Sequence, residues 1–343
     1  VANINGGQIG GRRNLIINGA QMIAQRTTSQ AAAGYLTDRF YGTYTGTDEA
    51  PTYSQVDVSS GTTPYTLGFR KAFKITNGNQ TGGAGSNHVQ IVYKAEARDI
   101  ANSGWNYTSS SSFVTLQFWV KSSVAQAFFG RLKTQDGTAQ NFPFTTGTLS
   151  ADTWTKVVVK IPGNSNLQFD DDGNNGLGIY FTAWLGTYRT DDSATVNTWA
   201  AYDSSARMPN NTSTWYTTND ATFEITGVQL EVGSQATAFE HRSFGEELIL
   251  CKRYYQEYDN LMQAGVAYQA VTNGNGLYTP FLFQPEMRAT PTITTSDIQD
   301  GGSNASVRMT GYGNNRKVTL EVYPTTNNDK IWCYFDVTID AEI

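Results

Sequence analysis

The sequence predicts an all-β protein: an antiparallel jelly-roll β-sandwich followed by one helix and a smaller C-terminal β domain. Three observations predict it. Between about residues 35 and 231 short segments alternate apolar and polar residues with a period of two, Gly- and Asn-rich turn clusters separate them, and a capped helical stretch breaks the pattern once, near Ser243. Composition agrees, since 33 glycines and 13% aromatic residues accompany a charged fraction of only 16% in 343 residues.

Residues 1–34 open with VANINGGQIGGRRNLIINGA, in which periodicity is confined to a short apolar run. The segment is expected to be an attachment arm lying along its own domain or a neighbouring subunit, held through Arg12, Arg13, Leu15, Ile16 and Ile17. The sandwich is expected over 35–242. In FVTLQFWVKSS, Val114, Leu116, Phe118 and Val120 share one face, and Val157, Val159 and Ile161 do so in WTKVVVKIPG. In LGIYFTAWLG the inward set is Leu177, Ile179, Phe181, Ala183 and Leu185. Strands polar on one side suit a two-sheet antiparallel sandwich, and without intervening helices a parallel βαβ sheet is not expected. In FEITGVQLEV the apolar parity flips from Phe223 and Ile225 to Val228, Leu230 and Val232, which predicts a β-bulge at Gly227.

Ser243 and Glu246 match the capping box S-x-x-E, and Leu248, Cys251, Tyr255 and Tyr258 then recur at helical spacing. A connecting helix over 243–260 is the expectation. The C-terminal β domain is expected over 261–343, with strands in YTPFLF, SVRMTGY, KVTLEVYP and IWCYFDVTID, the last burying Ile331, Cys333, Phe335, Val337 and Ile339. Pro280, Pro285 and Pro291 place their segment at a sheet edge.

A net charge of -6, with Arg12–Arg13 the densest basic spot, argues against nucleic acid as a partner. No apolar run is long enough to span a membrane and no leader is visible, so a soluble chain is expected. Cys251 and Cys333 read as free buried thiols.

Catalytic signatures are scarce. His241 stands beside Glu240, but neighbours in an extended segment point to opposite faces, so a structural hydrogen-bonding role at the corner before the helix is expected. His88 reads as a surface residue. Asp170-Asp171-Asp172 followed by Gly173 and Asn174 offers oxygen ligands, yet Asn175 and Phe181 stand where an EF-hand loop needs Gly and Glu, so an Asx-rich turn is the better reading and a looser structural Ca²⁺ site the alternative. No other cofactor is expected. The aromatic residues carry more information. Trp119, Trp154, Tyr180 and Trp184 fall on the polar parity of their strands, and Trp199, Tyr202, Trp215 and Tyr216 sit in loops near the rim. Such rings either form platforms for the C–H faces of sugars or are covered by the arm, the helix or another subunit.

The runs TLQFWVKSS, TWTKVVVKIPG, GLGIYFTAWLG and FEITGVQLEVGSQATAFEHRSFGEELILCKRYY resemble, in order, the strands and strand-to-helix junction of tail-fibre-like virion proteins of bacteriophages, many of them marine. GRRNLIINGAQMIAQR and FQPEMRATPTIT resemble their opening and their C-terminal β segment. The sandwich also resembles carbohydrate-binding jelly rolls, with Thr226 and Gly227 where the last strand of those modules often carries an acidic pair. The resemblance implies a non-enzymatic, oligomeric and often trimeric component of the virion, assembled in the host cytoplasm and contacting host-surface polysaccharide or other virion proteins. A capsid or tail decoration protein is the first alternative. A glycan depolymerase using Asp170–Asp172 or Asp191 and Asp192 is the second.

Overall fold

The computed structural model describes residues 3–4, 7–8, 13–266, 277–299, 305–310, 313–324 and 330–343. The chain divides into two compact units, Val1–Glu247 with Ile343, and Leu248–Glu342.

The first unit begins with a minimal hairpin, β1 (Asn3–Ile4) and β2 (Gly7–Gln8). There follow β3 (Ser29–Gln30), β4 (Gly34–Tyr35), β5 (Phe40–Thr45), β6 (Thr52–Asp57), a short helix α1 (Thr63–Thr66), β7 (Lys71–Thr76), β8 (His88–Glu96) and a second short helix, α2 (Ala97–Ala101). The unit continues through β9 (Phe113–Ser122), β10 (Ala127–Thr134), β11 (Gln140–Thr148), β12 (Thr155–Pro162), β13 (Asn175–Leu185), β14 (Ala200–Ala201), α3 (Thr214–Thr217) and β15 (Thr222–Val232). These strands make a seven-stranded sheet in the order β14-β11-β10-β13-β8-β5-β4 and a six-stranded sheet in the order β12-β9-β15-β7-β6-β3. Every pairing is antiparallel. From β7 onward the chain crosses repeatedly between the two sheets, which is the connectivity of a jelly roll.

The period-two pattern explains the core. Val114, Leu116, Phe118 and Val120 of β9 meet Leu177, Ile179, Phe181 and Ala183 of β13, all buried. Phe118 packs edge-on against Phe181, with centroids 4.9 Å apart. Each ring or branched side chain removed from water here contributes about 1.5–3 kcal/mol. Gly227 is the predicted bulge: its φ is +63° and the β15–β9 register slips between Thr226 and Gln229.

The bulge explains why the first 34 residues lie along their own domain, one of the two placements expected of them. β15 pairs with β7 only through Thr222–Ile225. Beyond the bulge its backbone needs other partners, and residues 14–19 supply them. Leu15 N–H donates to Leu230 O at 2.9 Å, Val228 N–H donates to Gly19 O at 2.9 Å, and Leu230 N–H donates to Asn14 Oδ1 at 3.1 Å. Ile16 and Ile17 are buried in their own domain, and Leu15 packs against the core. Arg13 donates its main-chain N–H to Glu240 and a guanidinium N–H to Ala238 O. Residues 14–19 of the expected arm thus complete the sandwich of their own domain. Arg12 lies outside the described residues.

The capping box forms as the sequence requires: Ser243 N–H donates to Glu246 Oε2 at 2.9 Å, and Glu246 N–H donates to Ser243 Oγ at 3.3 Å. The helix it starts, α4 (Phe244–Lys252), is shorter than expected. Tyr255 and Tyr258 belong instead to β16 (Tyr255–Val266), which pairs with the chain's last strand from Tyr255↔Asp340 to Val266↔Lys330. A long antiparallel ladder outweighs a helical spacing that a few residues shared by chance.

The second unit holds β16, β17 (Leu277–Leu282), β18 (Thr292–Gln299), β19 (Ala305–Thr310), β20 (Lys317–Pro324) and β21 (Lys330–Asp340). They form two three-stranded sheets, β16-β21-β18 and β17-β20-β19. Val318, Leu320 and Val322 share its core with Cys333, Phe335, Val337 and Ile339. Pro280 lies on the edge strand β17, opposite Thr319. Cys251 and Cys333 are buried thiols not joined in a disulfide.

Candidate functional site

With one parity of each strand committed to the core, the other builds the outer face of the seven-stranded sheet. On β10 this parity holds Arg131 and Lys133, on β13 Tyr180 and Thr182, on β8 Gln90 and on β5 Thr43. The register sets them side by side, as Arg131↔Tyr180 on β10–β13, Thr182↔Gln90 on β13–β8 and Gln90↔Thr43 on β8–β5. Gln90 Nε2 donates to Thr182 Oγ1 at 2.8 Å, which fixes its amide. Lys133 lies opposite Asn141 of β11, whose Nδ2 donates to Arg207 O at 2.8 Å. Beside β14, Tyr202 is anchored by its N–H to Ala139 O at 2.8 Å.

Cations gather around the two tyrosines. The Arg131 guanidinium lies 3.6 Å from the Tyr180 ring centroid and 5.8 Å from that of Tyr202. Lys133 Nζ stands 4.1 Å from the Tyr202 centroid and the Arg207 guanidinium 5.7 Å from it. Aromatic faces attract cations through their quadrupole, most strongly where water is excluded. Gly178 makes room for this layer, since a Cβ there would come within 2.8 Å of the Tyr180 ring. Burial lowers the pKa of Arg131, Lys133 and Arg207, with neighbouring positive charges adding to the effect. His88, read from sequence as a surface residue, is largely buried at the same face, within 3.3 Å of Thr43 Oγ1. Its desolvation, with Arg189, Arg207 and Arg131 adding to it, pushes its pKa down to about 4.

The other face divides the predicted aromatic set. Trp119 and Trp154 lie half-buried on the six-stranded sheet, so they share no platform with Tyr180 and Trp184 on the opposite sheet. Trp119 lines a cleft of about 190 Å³ with Leu67, Phe69, Lys156, Phe239 and His241. His241 Nε2 is 2.8 Å from Leu67 O and its ring packs on Phe239, while Glu240 accepts from Asn14 N–H and Arg242 instead. Lys121 sits 5.1 Å from the Trp154 ring and 3.1 Å from Glu224.

Four of the predicted rings are structural. Trp215 and Tyr216 are 0% exposed, and Trp184 and Trp199 are also buried. Trp215 Nε1 donates to Thr222 O at 3.0 Å and Trp199 Nε1 donates to Pro162 O at 2.7 Å. Trp184 stacks on Tyr216 at 5.0 Å, with the Gly83 backbone against its indole. A buried indole or phenol whose apolar body fills the core has no free face for a ligand. Of the eight rings, the seven-stranded face therefore keeps Tyr180 and Tyr202. The sequence reading missed Arg131, Lys133, Arg189 and Arg207, which come from separate segments and are brought together by the β10–β13 register and the 186–208 loop. The one available signal was the outward parity of Arg131 and Lys133 in AFFGRLKT.

No family model matches the chain, and no curated protein sequence does. Among solved structures, a bacteriophage CBA120 tailspike protein 4 domain is similar over 64% of this chain and 21% of its own, at 11% identity and a TM-score of 0.34. A candidate sugar-binding protein from Bacteroides thetaiotaomicron is similar over 64% of this chain and 100% of its own, at 13% identity and a TM-score of 0.34. The N-terminal cellulose-binding domain of Cellulomonas fimi β-1,4-glucanase C is similar over 57% and 90%, at 10% identity and a TM-score of 0.29. The chain spans only about a fifth of the tailspike's length. Likenesses this distant carry no functional argument, and the jelly roll rests on the strand order.

Proposed function

We propose that the protein is a non-enzymatic bacteriophage virion component, a fibre or spike protein that contacts host-surface glycans through the outer face of its seven-stranded sheet. The observation that carries this reading is the meeting of the half-buried Tyr180 and Tyr202 with Thr43, Lys133 and Arg207 on one rigid face, over a buried layer of Gln90, Thr182 and Asn141. Sugar rings present C–H faces to aromatic rings and hydroxyls to alcohols and charged groups, and this face sets two tyrosines beside Thr43, Lys133 and Arg207. The virion location and a homotrimeric assembly belong to the same reading. They draw on the resemblance carried by the β15-to-α4 run, residues 222–252.

The test is binding of purified protein to host polysaccharide, by affinity electrophoresis or calorimetry, with adsorption to host cells beside it. Tyr180→Ala and Tyr202→Ala should each weaken binding about tenfold, corresponding to about 1–1.5 kcal/mol for one aromatic contact, with an unchanged circular-dichroism spectrum. Full binding by the double variant would exclude this face. Incorporation into particles by a protein that ignores every polysaccharide would favour the decoration reading. Release of reducing ends from the polysaccharide would favour the depolymerase.

A further inference from the structure

The same face carries a charge pattern that glycan binding in general does not require. Arg131 is 2% exposed, yet its Nε and Nη1 are buried without a hydrogen-bond partner. Asn141 Oδ1 and His88 Nδ1, on the same face, are also buried and unpartnered. Such atoms are rare in folded proteins and mark places where water or a ligand completes the site. Lys133 and Arg207 share the Tyr202 ring with Arg131, and Arg189 is tied to Arg207 by the hydrogen bond from Arg207 N–H to Arg189 O at 3.0 Å. Among the described residues none of these four cations forms an ion pair with a carboxylate. Elsewhere Arg13, Lys71, Arg98, Lys121, Arg242 and Arg316 all do. The carboxylates of the same loop, Asp191, Asp192 and Asp203, accept instead from the main-chain N–H groups of Ser193, Asn210 and Ser205.

Three cations held on tyrosine faces, with Arg189 beside Arg207, repel one another, and an anion entering the cluster would relieve that repulsion and fill the orphaned donors. We propose that the outer face of the seven-stranded sheet takes an acidic polysaccharide, whose carboxylate or sulfate group is seated on Arg131 among Lys133, Arg189 and Arg207. This rests on the glycan-binding reading and names the chemical class of its ligand. A nucleic acid fits less well: the net charge is -6, and the basic cluster is a spot beside neutral polar residues rather than a track along a backbone.

Matched pairs of polymers test it on the full chain. Alginate is compared with its propylene glycol ester and dextran sulfate with dextran, so that only the charge differs within a pair. The acidic member of at least one pair is expected to bind at least tenfold tighter than its neutral partner, and alginate-only or sulfate-only preference would identify the anion. That preference should fall as salt is raised from about 50 to about 500 mM, as expected for ionic contacts. Lys133→Ala and Arg207→Ala, both half-exposed and tolerable to the fold, should each reduce it several-fold, and Arg131→Gln should abolish it. Lys160→Ala, on the other sheet, removes the same charge and should change nothing. Equal binding of acidic and neutral partners would overturn the acidic-ligand inference while leaving the glycan reading intact. Binding to neither pair nor to host polysaccharide would overturn both. Duplex DNA bound as tightly as the acidic polymers, or equal losses with Lys160→Ala, would reduce the cluster to nonspecific ion exchange and overturn the assignment.

Discussion

At the scale of single residues, Gly227 and His88 show how local chemistry is held in place by surroundings. Gly227 combines a left-handed backbone with a close neighbour, since a Cβ there would lie 2.7 Å from Phe69 Cζ. Gly227→Ala should therefore cost about 2–4 kcal/mol, from the unfavourable φ and the displaced ring together, read as a lowered urea midpoint. For His88 the sign follows from proton uptake. The unfolded chain gains a proton near the ordinary value of 6.5, whereas the folded protein resists until about pH 4. Stability contributed by the neutral ring is complete above the unfolded value and declines as pH falls between the two. Between about pH 7 and pH 5, His88→Gln should lose about 1–2 kcal/mol less stability than the parent protein. Parallel urea titrations at both pH values measure it, and identical pH dependence of the two proteins would show that His88 is not held neutral.

At the scale of elements, the segment 13–20 and strand β15 depend on each other. Because the bulge removes β15 from its ladder with β7, residues 14–19 take over its backbone partners and bury Ile16 and Ile17. Deleting residues 1–20 should cost about 5 kcal/mol or more from those side chains and hydrogen bonds, comparable to the whole stability of a domain. The truncated protein is expected to lose its near-ultraviolet circular dichroism. A truncated chain with an unchanged urea midpoint would show the segment to be dispensable to the fold. The α4 boundary teaches a related lesson about length. Ser243 and Glu246 specify where the helix starts, because a cap is a contact between near neighbours in sequence. Its end is set by the β16–β21 pairing, whose partner strand begins nearly eighty residues later, at Lys330.

At the scale of the whole molecule, the sequence by itself determined the all-β class, the inward faces of β9, β12, β13 and β21, the bulge at Gly227 and the start of the helix. Each of these is encoded by residues within a few positions of one another, so the pleat, a parity change or a cap can be read directly. Only the tertiary structure decided which outward rings meet a ligand. Outward parity says nothing about what a loop or a distant segment then covers: Trp184 is buried beneath the Gly83 loop, while Tyr180 stays half-buried beside the Arg131 guanidinium. The cation cluster was equally invisible. Arg131, Arg189 and Arg207 become neighbours through strand register and loop closure, and Coulomb interactions depend on distance in space rather than along the chain.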